Sequence, residues 1–71
     1  MYNNFRDAVL KALASNTALT WQDVLDVTEP QARAQSFAFI KQMQNEGLVS
    51  RSVERYQNSA RGQLVVRAGG D

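Results

Sequence analysis

The sequence predicts a mainly α-helical domain closed by a small β-hairpin, and three features carry that prediction. Apolar residues Phe5, Ala8, Val9, Ala12 and Leu13 recur at helical spacing. Two threonines, Thr20 and Thr28, each stand three residues ahead of a side chain suited to a helix start, Asp23 and Gln31. Gly47 and Leu48 alone separate a helical pattern from the extended run Val49 to Tyr56.

The first helix is expected over about residues 4–15. Asn3 or Asn4 can cap it, Asp7 falls in its first turn, where a carboxylate suits the helix dipole, and "SNT" ends it. A short second helix, about 21–27, follows "LTWQDV". There Thr20 and Asp23 resemble a capping box, Leu19 and Val24 a hydrophobic staple, and Trp21, Val24 and Leu25 form the buried side.

The third helix is expected over about 29–46, with Thr28 as its cap and Pro30 in the first turn, where a missing N–H costs nothing. Helical spacing places Ala32, Ser36, Phe39, Ile40, Met43 and Gly47 on one face. The opposite face carries Gln31, Ala34, Gln35, Ala38, Lys41, Gln42 and Asn45. Phe37 stands at the border, where it is either core or, if exposed, an anchor for another protein or a second copy.

Gly47 supplies the left-handed residue that ends this helix, and Leu48 can fold back on Met43. A hairpin of about 49–56 and 63–68 follows, with Leu64, Val66 and Ala68 alternating against Gln63, Val65 and Arg67. Residues 69–71 are expected to fray. The expected core is Phe5, Val9, Leu13, Trp21, Leu25, Phe39, Ile40, Met43, Leu48 and Val66.

At 71 residues the chain makes a single domain, and its 44% hydrophobic content argues against wholesale disorder. It holds neither cysteine nor histidine, which removes disulfides, thiolate or imidazole metal sites and every His-dependent triad. No glycine-rich phosphate loop or paired-carboxylate site is visible either, so neither an enzyme nor a cofactor is expected. The first residues lack an apolar signal core, and no stretch approaches the ~18 apolar residues of a membrane span. A soluble, cytoplasmic protein is the expectation.

Net charge is only +1, but it is unevenly spread. Residues 1–50 hold four Lys/Arg against five Asp/Glu, whereas residues 51–71 hold four arginines against two acids. A basic C-terminal third suits an anionic partner, although charge on a hairpin also serves to keep edge strands apart.

The stretch "TWQDVLDVTEPQARAQSFAFIKQMQNEGLVSR" resembles the winged helix-turn-helix superfamily. In that superfamily the recognition helix typically ends in Leu-x-x-Leu-x-x-x-Gly-Leu-Val-x-Arg, and Ile40, Met43, Gly47, Leu48, Val49 and Arg51 match it position by position. The resemblance implies a duplex-DNA-binding protein, either a transcriptional regulator or a DNA-processing accessory factor. Its third helix would enter the major groove. Gln31 and Gln35 would meet adenine, Ala34 and Ala38 would allow close approach, and Arg33 and Lys41 would take guanine or phosphate. Arg55 and Arg61 of the wing would lie along phosphates or in a minor groove. A module of this size usually needs a second copy or a partner for specificity. The competing expectation is a winged-helix module that binds protein and no nucleic acid, favoured by the near-neutral charge, the Ala/Gln face and Phe37.

Overall fold

A computed structural model describes residues 1–55 and 62–69 of the chain. Among them the order is helix α1 (Tyr2–Ser15), strand β1 (Leu19–Thr20), helix α2 (Trp21–Val27), a 3-10 segment (Pro30–Gln35), helix α3 (Ser36–Asn45), and strands β2 (Val49–Glu54) and β3 (Gln63–Ala68). The chain is mainly helical, with a three-stranded antiparallel sheet ordered β1-β3-β2. Among the described residues no helix is long and apolar enough to cross a membrane.

Helix α1 begins earlier than expected. Met1 occupies the N-cap without a side-chain bond, neither Asn3 nor Asn4 caps, and no acid lies in the first turn. Tertiary contacts hold that turn instead. The Tyr2 ring meets Phe39 edge-on at 5.5 Å between centroids, and its hydroxyl donates to Glu46 Oε1. Burial, and then the Glu46 carboxylate, push the Tyr2 phenol up to about 12. Asp7 pairs with Arg6 at 3.1 Å rather than with the dipole. Asn16 closes the helix by donating from Nδ2 to the Ala12 carbonyl at 2.8 Å.

The start of α2 follows the sequence closely. Thr20 Oγ1 accepts from the Asp23 N–H, and Asp23 Oδ2 accepts from the Thr20 N–H, each at 3.1 Å. Leu19 and Val24 are both buried in the core. Thr20→Ala removes the acceptor for a first-turn N–H, and a loss of ~1 kcal/mol is expected in urea denaturation. A change under ~0.3 kcal/mol would assign the start of α2 to packing alone. The strand β1 was not expected; Leu19 and Thr20 pair with Val66 and Val65.

The third helical segment departs most from expectation. It is neither one α-helix nor capped by Thr28. Proline biases the residue before it toward extended backbone, and Glu29 indeed sits at φ −71°, ψ 143°, so the segment begins at Pro30. The Thr28 hydroxyl turns backward and donates to the Val24 carbonyl at 2.8 Å, finishing α2. Pro30–Gln35 winds as a 3-10 helix, and α winding starts only at Ser36, whose buried hydroxyl donates to the Ala32 carbonyl at 3.0 Å. Consequently α1, not α3, is the longest helix.

Gly47, at φ +78°, ends α3 as expected. Its N–H donates to the Gln44 carbonyl at 3.0 Å and that of Leu48 to the Met43 carbonyl at 2.9 Å, the Schellman pattern. Strands β2 and β3 then pair from Val49↔Ala68 to Glu54↔Gln63. The alternation expected along β3 is broken, since Val65 and Val66 are both buried, Leu64 only half-buried and Ala68 exposed. As the central strand, β3 has neighbours on both edges, and Val65 is covered between Thr20 and Ser52 on the face away from the main core. Gly69 is not frayed: its N–H donates to the Leu48 carbonyl at 2.8 Å. Residues 70–71 lie outside the described residues, as do Tyr56 and Arg61.

Phe5, Val9, Leu13, Ile40, Met43 and Val66 form the buried centre as expected, joined by Leu19, Val24, Ala32 and Val49. Trp21, Phe39 and Leu48 are half-buried against that centre, and Leu25 is half-buried. So small a core cannot enclose these four as well.

Candidate functional site

The outward side of the Pro30–Asn45 stretch is where the chain displays side chains with no core role. Gln31, Arg33, Ala34, Gln35, Ala38 and Lys41 are all exposed there, as is Arg55 beyond the end of β2. The helical register between them differs from expectation. Gln31 and Gln35 were to share a face one α-turn apart, but a 3-10 helix turns about 120° per residue, which swings the two well out of line. Gln31 and Ala34 now eclipse each other instead. Ala38, Lys41, Gln42 and Asn45 keep their common α-helical face.

Phe37 is 50% exposed and therefore not core. It stands between three elements. The Trp21 ring at the start of α2 meets it edge-on at 6.1 Å, Lys41 Nζ lies 5.9 Å from its centroid one turn along α3, and Arg51 Cζ of β2 lies 5.1 Å from it. Arg51 is fixed twice, because its Nε also donates to Gln44 Oε1 at 2.6 Å. The fold thus gathers Trp21, Phe37, Lys41, Gln44 and Arg51 into one aromatic and cationic cluster.

Only Lys41 of that cluster belongs to the expected reading set. Two local pairings within the cluster are reachable from spacing, although the approach of Trp21 is not. Once Gly47 reverses the chain, a strand residue four positions on runs back beside the last turn of the helix, which places Arg51 near Gln44. Phe37 and Lys41 share the same side one turn earlier.

Of the acids near this face, Glu29, just before Pro30, is exposed and makes no side-chain cap bond, whereas Glu54 and Glu46 are engaged. Glu54 accepts from Arg67, and that hydrogen bond holds its carboxyl below the usual range. Arg67 also donates to Ser52 Oγ at 3.3 Å. Glu46, past the end of α3, accepts from Tyr2. Between Pro30 and Asn45 there is no acid at all. Four of the seven acids precede residue 30. Among the described residues no cluster of three carboxylates could hold a metal ion. No family model, curated protein or solved structure matches this chain.

Proposed function

We propose that the chain is a winged helix-turn-helix domain that binds duplex DNA, with α3 in the major groove and the β2–β3 hairpin as the wing. The order helix, short strand, two helical segments and hairpin supports that arrangement, with β1 adding a third strand against β3. One observation carries the functional reading: the exposed side of Pro30–Asn45 has two cations and no acid, and on its β2 side the Glu54 carboxylate is paired with Arg67. A duplex carries dense negative charge, so a helical surface that bears cations and no carboxylate of its own suits it.

Base contacts then belong mainly to the α-helical face of Ala38, Gln42 and Asn45. Gln31 or Gln35, no longer aligned, serve singly rather than as a pair. Arg33 and Arg55 flank this face and suit phosphate. A domain of this size buries one module's worth of interface, which is why a second copy or partner is part of the proposal.

The direct test is a gel shift with random-sequence duplex at ~50 and ~200 mM salt, where phosphate-dominated binding weakens steeply as salt rises. A wild-type protein that shifts no duplex even at ~50 mM sinks the proposal. On a selected sequence, Gln35→Ala is expected to cost ~1–3 kcal/mol with the salt slope unchanged, the mark of a neutral contact to a base edge. The exposure of Phe37 favours a second reading, a protein-binding module. In that case Phe37→Ser would disperse an assembly while leaving the monomer folded.

A further inference from the structure

We infer that Lys41 and Arg51, set about the ring of Phe37, form a clamp for the sugar–phosphate backbone, with Phe37 packing on the deoxyribose between phosphate contacts; this rests on the DNA-binding reading above. Both cations lie within 6 Å of one ring centroid, so their separation cannot exceed the two distances laid end to end. Both charges thus lie on one patch, and among the described residues neither has an ion pair to offset it. An anion in front of them would meet two unoffset cations at once.

The construction of the clamp points to backbone rather than base. Phe37 sits on the flank of α3, between the start of α2 and β2, not on its outermost face with Ala38 and Asn45. A groove-bound helix meets base edges along its outermost face and the phosphate strands along its flanks. Arg51 is aimed in advance: its Nε donates to Gln44, its Cζ lies 5.1 Å from the ring centroid, and its two terminal nitrogens remain for the forked bonding that phosphate oxygens accept. The apolar ring, half in water at 50% exposure, is the right size and character for a sugar face. It accounts for an exposed aromatic on a polar helix without a protein partner.

Fluorescence anisotropy of labelled duplexes over a salt series tests this. Lys41→Gln and Arg51→Gln should each reduce the slope of log affinity against log salt by about 0.9, and by the same amount on every sequence. Arg51→Lys should restore most of the slope, because it returns the charge, while affinity stays several-fold below wild type. Phe37→Leu keeps both charges, so the slope should stay while affinity falls several-fold on all duplexes. Circular dichroism confirms that each variant is folded. An Arg51→Gln loss confined to one sequence would make Arg51 a base reader and overturn the clamp. So would wild-type slopes in all variants of a protein that still binds duplex. A wild-type protein that binds no duplex fails the parent reading instead.

Discussion

Ile40→Ala is expected to remove ~2–5 kcal/mol, the range for truncating a buried aliphatic side chain, out of the ~5–15 kcal/mol that holds a typical domain. Ile40 has no exposed surface and sits among Phe5, Val9, Val24, Met43 and Val66, so the deleted atoms leave a cavity bounded by residues from both helices and sheet. A core this small has little capacity to collapse around it. Equilibrium urea denaturation should show a lower midpoint with an unchanged slope, and a substantial unfolded fraction by 37 °C. Lys41→Ala, the next residue along α3 and exposed, should stay within about 0.5 kcal/mol of wild type. Similar losses in both would mean that α3 does not bury the face described.

What was legible in the sequence was whatever depends on a few neighbouring residues. The stripe from Phe5 to Leu13, the reciprocal Thr20–Asp23 bonds and the Gly47 cap are local devices, and each appears where spacing placed it. Two things were not local. β1 is two residues long, too short to show a period, and exists because Val65 and Val66, more than forty residues on, offer it an edge. The 3-10 winding of Pro30–Gln35 also escaped, because apolar spacing at three and four residues fits either helix over a single turn. Ala32 and Ser36 were rightly placed inward, yet Gln31 and Gln35 were wrongly placed side by side. The candidate site suffered the same way. Its exposed residues were legible from periodicity, but the meeting of Trp21, Phe37 and Arg51 needs three elements to be docked first.

Gly69→Ala is expected to be the more damaging of two glycine substitutions at the corner where α3 passes into β2. A methyl group on Gly69 would stand 2.5 Å from the Gly47 carbonyl oxygen and 2.7 Å from both Leu48 C and Val49 N. All three are backbone atoms, held by the Schellman bonds of Gly47 and Leu48 on one side and the Val49↔Ala68 pairing on the other. No side chain can rotate to make room. The end of β3 must therefore lift, giving up the Gly69 N–H bond to Leu48, at a cost of ~1–3 kcal/mol. Gly47→Ala meets nothing within 4 Å, and its cost is only that of a left-handed backbone, φ +78°, on a residue with a Cβ, roughly 1 kcal/mol. Urea denaturation of both single variants and the double variant separates the two causes. If the clash is real, lifting the strand end in Gly69→Ala also frees the corner that strains Gly47→Ala, and the double variant loses less than the two singles together. Strict additivity, or a Gly69→Ala midpoint equal to wild type, would show that the strand end does not press on the corner.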